Sequence, residues 1–123
     1  MREILGVTQD SPQRRRRWFH DEYFDLFVSQ ASDGNLDRFE LCYGPDATER
    51  ALVWDRERGY FHDGTNLLAA KDIAGRFDTV APALPGEVAA AVLRRLQEYA
   101  QRGAVAQARR KRFRRADWQR REA

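Results

Sequence analysis

A chain of 123 residues with 42% hydrophobic and 11% aromatic content can close one core and is too apolar to be disordered throughout. Its formal net charge is +3, and no apolar run reaches the roughly 18–20 residues of a membrane-spanning helix. The opening MREILGVTQDSPQ lacks an apolar stretch and carries Glu3 and Asp10, so it predicts no secretory signal and a cytoplasmic location.

Cys42 is the only cysteine, which excludes an intrachain disulfide and fits a reducing compartment. Leu41 and Tyr43 flank it, and the pattern predicts a buried, inert strand thiol.

The charge is unevenly placed. Residues 1–17 carry five arginines against Glu3 and Asp10, a net of +3. Residues 104–123 carry a net of +6, which leaves residues 18–103 at −6. An acidic body therefore lies between two basic ends. Arginine outnumbers lysine 20 to 2, a bias that a GC-rich genome also produces.

In chain order, residues 1–13 contain Gly6, Ser11 and Pro12 and no sustained period. They read as a loose arm, with Ile4–Val7 able to add a short edge strand. From Trp18 the period becomes two. Phe24, Leu26 and Val28 share one face, while Tyr23, Asp25 and Phe27 share the other. Asp33-Gly34 between two alternating runs predicts a two-residue hairpin loop of type I′. Ser32 then opposes Asn35, which pairs Phe24 with Tyr43, Leu26 with Leu41 and Val28 with Phe39. Apolar residues meet apolar residues along that whole face.

After the turn at Gly44–Glu49, pairing Tyr43 with Arg50 places Leu52 and Trp54 beside Leu41 and Phe39, while a slip of one residue would instead favour Ala51 and Val53. Tyr60-Phe61-His62 starts a short fourth strand. Residues 67–83 leave two readings open, a short helix over Leu67–Ala74 or irregular cover. The clearest helix follows: Pro85 and Glu87 suit its first turn and Gly103 its end. Val88, Val92, Leu96 and Tyr99 make its apolar stripe. The reading is α+β: an antiparallel β-meander of three to four strands packed on one long α-helix. The chain divides into a loose arm (1–13), a single domain (14–103) and a basic helical extension (104–123).

Three groups of residues bear on chemistry. Arg109, Arg110, Lys111, Arg112, Arg114 and Arg115 surround Phe113, with Trp118 close behind. Guanidinium groups neutralise phosphates, and an aromatic ring stacks on an unpaired base. An acidic protein groove or a membrane surface attracts the same segment, and a solvated helix end has the same composition. Arg14 to Arg17, above all Arg15, Arg16 and Arg17, extend that footprint if the two ends lie near each other, or pair with acidic neighbours such as Asp21 and Glu22, or simply solubilise an edge strand. The dipeptides His20-Asp21 and His62-Asp63 are the only catalytic or metal material. Successive strand residues point to opposite faces, so neither dipeptide presents both groups to one pocket. The second sheet face, with Tyr23, Asp25, Phe27, Glu40, Cys42 and, in the slipped register, Val53, is half apolar. It calls for cover by the chain's own residues 67–83, for a second copy, or for a small-molecule ligand in a cleft. Glycine-rich nucleotide loops and the GxSxG, HExxH and CxxC motifs are absent, so no cofactor is expected.

The runs Arg15–Phe19, Phe24–Val28, Phe39–Tyr43 and Glu49–Trp54 resemble a small group of uncharacterised bacterial proteins with RRRWF, FDL, QLCY and ERAL-type segments. The resemblance covers about residues 14–62 and the Leu84–Tyr99 helix. Glu40 stands where that group has glutamine. It implies a bacterial origin and one compact domain, and brings no activity, ligand or site residue with it.

The functional expectation is a non-enzymatic binding or accessory module that engages nucleic acid or an acidic protein through its basic ends. The alternatives are a small enzyme or ligand-binding protein using His20, His62 and carboxylates, and a structural homodimer.

Overall fold

The computed structural model describes residues 1–44, 49–63 and 67–102. Six antiparallel strands form one sheet: β1 (Arg2–Ile4), β2 (Arg14–His20), β3 (Phe24–Ala31), β4 (Leu36–Tyr43), β5 (Arg50–Asp55) and β6 (Gly59–His62). Their order across the sheet is their order in the chain, a pure meander. Two helices follow, α1 (Leu67–Val80) and α2 (Gly86–Arg102), joined through a 3₁₀ turn at Ala81–Ala83. The α+β meander matches the sequence reading, but three to four strands and one helix become six strands and two helices.

The extra elements have local causes. The sequence hides the β2–β3 hairpin: the turn at Asp21 shifts the alternation by one residue, so that Phe19 of β2 pairs with Leu26 of β3 and Trp18 with Phe27. The Asp21 carboxylate accepts the backbone N–H groups of Tyr23 (2.8 Å) and Phe24 (2.6 Å), an Asx-type turn. Tyr23 then packs against the core under the helices rather than on the second face. Strand β1 is three residues long, too short for periodicity to reveal. It pairs Ile4 with Trp18 and Arg2 with His20. The rest of the arm is tied down as well. The Gln9 side chain donates to the Arg16 carbonyl (2.9 Å) and accepts from the Arg16 N–H (2.8 Å), standing in for a strand neighbour. Helix α1 runs to Val80, beyond the short helix over Leu67–Ala74. Its apolar residues Ile73, Ala74 and Phe77 enter the core.

The β3–β4 register follows the turn-based reading from Phe24↔Tyr43 to Ser29↔Arg38. The loop itself differs. Asp33 does not have the positive φ of a type I′ turn, whereas Gly34 does, at 89°. Gly34 N–H donates to Ala31 O (2.9 Å) and Ala31 N–H to Asn35 O (2.8 Å). The loop is therefore three residues long, and an irregularity at Ser29/Gln30 absorbs the offset. Nothing lies within 4 Å of a Cβ built at Gly34, so Gly34→Ala meets only the conformational cost of left-handed backbone. That cost is about 1–2 kcal/mol, to be read as a lowered midpoint in urea unfolding; an unchanged midpoint would show that the loop relaxes.

The main core lies between one sheet face and the helices. Leu26, Val28, Phe39, Leu41 and Leu52 from the sheet meet Phe77, Val88, Val92 and Leu96, all essentially inaccessible to water. Each such side chain contributes roughly 1.5–3 kcal/mol of burial. Tyr43 pairs with Arg50 and Phe39 with Trp54, the register that the sequence favours. Helix α2 crosses the sheet obliquely. Near its start the Glu87 charge reaches Arg17 of β2, and near its end Tyr99 bonds His62 of β6. Among the described residues, no helix is long and apolar enough to cross a membrane.

Candidate functional site

Strand geometry divides the basic run of β2 between the two faces. Arg17 lies on the helix side and grips Glu3 bidentately, with Nε and a terminal nitrogen at 2.8 and 2.7 Å. Its guanidinium also stacks over the Phe19 ring at 5.2 Å. Hydrogen bonding from Arg17 is the main reason that the Glu3 carboxyl is held below its ordinary range, and Glu3 in turn raises the Arg17 pKa. Arg16 lies on the other face, bridged to Asp10 at 3.2 Å and donating to the Thr8 carbonyl at 3.3 Å. Arg15 has an exposed side chain. Acidic neighbours therefore engage Arg16 and Arg17, but they come from the N-terminal arm. Asp21, a neighbour in sequence, is used in the turn instead.

Arg14 and Arg16 help to line an open cleft of about 690 Å³. It is formed where β2 begins, β3 ends, β4 begins and β5 ends. Arg38, Arg56, Asp37, Asp55, Asp10 and Glu57 complete its charged lining. Asp37 stands between two arginines, bridged to Arg14 at 3.5 Å and to Arg56 at 3.4 Å. Those two side chains remain 62% and 69% exposed, while Asp37 is only 18% exposed. Exposed pairs of this kind contribute about 0–1 kcal/mol, so they hold the two guanidinium groups only weakly. Asp55 is occupied locally, accepting the N–H groups of Glu57 (2.9 Å) and Arg58 (3.1 Å). The cleft combines orienting carboxylates with guanidinium groups open to solvent. Its lining balances four carboxylates against four guanidinium groups, and a guanidinium fork can pair with phosphate or carboxylate oxygens. Sequence reasoning missed Arg38 and Arg56 because only the sheet register brings them to Arg14 and Arg16.

The two histidines belong to separate networks on opposite faces. His20 Nδ1 and Trp18 Nε1 both lie 2.8 Å from Asp25 Oδ1, and Asp25 faces Cys42 across β3–β4. The His20 partner is thus Asp25 across the hairpin, while the adjacent Asp21 serves the turn. On the helix side, His62 hydrogen-bonds Tyr43 through Nε2 and Tyr99 through Nδ1, the latter at 2.8 Å. In the neutral ring one nitrogen donates and the other accepts, so the two hydroxyls play opposite roles. Burial lowers the His62 pKa and pushes the Tyr43 hydroxyl up to about 12. The network fits a structural clamp between sheet and helix. The fold does not bring His20 and His62 together. Among the described residues, no group of three or more His, Cys, Asp or Glu side chains is arranged to hold a metal ion.

On the second sheet face, Trp18, Phe27, Cys42 and Ala51 form a buried apolar cluster. Trp18 stacks on Phe27 with ring centroids 5.3 Å apart. Glu40 sits in the same face and is fully buried, with Cys42 Sγ donating to its carboxylate at 3.3 Å. Arg109 to Arg115, Phe113 and Trp118 lie outside the described residues. Comparison with family models, with curated proteins and with solved structures gives no match for this chain.

Proposed function

We propose that the protein is a non-catalytic binding module for a polyanion, with single-stranded nucleic acid as its partner. The observation that carries the reading is the pair of solvent-exposed arginines, Arg14 and Arg56, held on either side of Asp37 at the open cleft. Arginine forks match phosphate geometry, and the −6 body gives a polyanion few other places to settle. The basic segment at 109–115 adds charge, and Phe113 and Trp118 add stacking surfaces of the kind that hold unpaired bases. The histidines support a catalytic reading poorly, since they lie in two networks on opposite faces. A homodimer joined through the second face has little to bury, because the centre of that face is already covered within one chain.

The test is fluorescence polarisation of a labelled single-stranded oligonucleotide across a salt series. The chains compared are full-length protein, Arg14→Gln/Arg56→Gln, and a form ending at residue 102. Full-length protein is expected to bind with an affinity that falls steeply with salt. The double variant is expected to lower the logarithmic salt slope by about 1.4, at roughly 0.7 per phosphate contact on a single strand. Loss of residues 103–123 removes more. Absence of binding at low salt defeats the reading. Displacement of the oligonucleotide by polyglutamate at equal charge concentration transfers it to an acidic protein partner.

A further inference from the structure

A second cleft opens on the helix side of the sheet. It lies between the β3–β4 loop, the turn after β5 and α2, has a volume of about 260 Å³, and is lined in part by Asp33, Trp54, Arg56, Ala91, Arg94 and Arg95. Trp54 belongs to the core under the helices, whereas Arg16 lines the first cleft from the other face. Arg56 lines both and so stands between them at the end of the sheet. The two clefts differ in charge. Four guanidinium groups face four carboxylates in the first. Among the described residues of the second, three guanidinium groups face the one carboxylate of Asp33. That carboxylate is engaged by its own loop, accepting the Asn35 N–H at 3.0 Å and Asn35 Nδ2 at 3.1 Å.

We propose that Arg56, Arg94 and Arg95 form a second phosphate subsite, which takes a phosphate of the bound single strand. The inference rests on the polyanion reading above and carries its path from the sheet onto α2. Each guanidinium is presented differently. Arg95 is held in place: it stacks over the Trp54 ring at 4.3 Å, and its Nη1 donates to Glu98 Oε2 at 3.2 Å. A stacked and tethered fork loses little freedom when it takes a phosphate oxygen. Arg94 is exposed, and among the described residues no carboxylate is bonded to it. Arg56 is anchored by its backbone N–H on the Asp37 carbonyl at 2.9 Å, while its side chain stays 69% exposed. Ala91 lies one turn before Arg94 and Arg95 on α2, and its methyl group leaves the floor between them open. The Trp54 ring is already used, covered by Arg95 and stacked with Phe39 at 6.2 Å. The cleft therefore offers charge and no free ring, which suits a phosphate and reads no base.

The test is fluorescence polarisation of labelled oligothymidylate across a salt series. Full-length protein is compared with Arg94→Gln, Arg94→Glu, Arg14→Gln and Lys71→Gln. Lys71 is exposed on α1 and lines neither cleft, so its loss removes the same charge elsewhere. Arg94→Gln is expected to lower the logarithmic salt slope by about 0.7, one phosphate contact on a single strand. Arg94→Glu should lower it at least as far, and Lys71→Gln should leave it unchanged. Binding whose slope both Arg94 variants leave unchanged overturns this subsite and leaves the Arg14–Arg56 cleft standing. An equal loss in Lys71→Gln overturns it too, because net charge alone then accounts for the effect. A response to Arg94→Gln without one to Arg14→Gln supports this subsite and removes the first. Displacement of the strand by polyglutamate at equal charge concentration gives the arginines to an acidic peptide and overturns the phosphate assignment. Absence of binding at low salt defeats both ideas together.

Discussion

Phe77→Ala is expected to cost about 3–5 kcal/mol of folding free energy, the range for removing a fully buried phenylalanine ring. Phe77 has no accessible surface and meets Phe24 edge-on, with ring centroids 6.1 Å apart. It is the largest side chain that α1 places in the core, so its loss opens a cavity where that helix meets the sheet. Small domains have only about 5–15 kcal/mol in total. The variant should therefore populate a state in which α1 is loosened at ambient temperature. Urea unfolding followed by circular dichroism measures the loss. A cost below about 1 kcal/mol would mean that the helix layer repacks freely around the gap.

That helix is also where the sequence was hardest to read. Leu67 to Val80 offers apolar residues at helical spacing but no strong cap, and a glycine interrupts it at position 75. Helix α2, with Pro85, Glu87 and the Val88–Tyr99 stripe, announces itself by local chemistry alone. The β3–β4 register was legible for a related reason: alternation and turn residues agree over long strands, and one slipped residue would turn the pattern inside out. The β4–β5 register was less so, because a one-residue slip offers Ala51 and Val53 in place of Leu52 and Trp54. The edge strand in the arm was legible only in outline, placed at Ile4–Val7 where β1 spans Arg2–Ile4, because three residues carry no period; the Gln9 bridge was not legible, because a side chain imitating backbone leaves no pattern. The site shows the same division. Arg15, Arg16 and Arg17 stand out as a run, but which face each occupies follows from register. Arg38 and Arg56 join Arg14 at one cleft only after four strands are paired. His20 could be seen as a candidate, yet its partner Asp25 required the hairpin at Asp21.

The second large effect concerns His62. Tyr43→Phe removes the hydroxyl that bonds the ring Nε2 and leaves a half-buried nitrogen unpartnered on that side, for a cost of about 1–3 kcal/mol. The same network sets a pH dependence. Burial places the folded-state pKa of His62 below the ordinary 6.5. The unfolded chain therefore takes up its proton first as pH falls. The stabilisation is complete above about pH 6.5 and is lost progressively towards the folded-state value. Tyr43 acts at the other end of the scale. Its raised pKa makes stability present below pH 10 and lost as pH climbs towards about 12. Thermal midpoints between pH 4 and 8 should fall on the acid side in the native protein. His62→Gln should lower the midpoint at pH 8 and flatten that acid slope. An unchanged slope would assign the acid sensitivity to carboxylates such as Glu3, whose lowered pKa acts in the same direction.

The strand order has a kinetic consequence. Every strand pairs with its sequence neighbour, so each pairing closes only a short loop and the topology favours low contact order in the sheet. During synthesis the hairpins can zip one after another as they leave the ribosome. The helices that seal the core arrive only after residue 66. A half-made chain would therefore display Leu26, Val28, Phe39, Leu41 and Leu52 as a bare apolar sheet. Stalled or truncated products ending before α2 should be its most aggregation-prone forms.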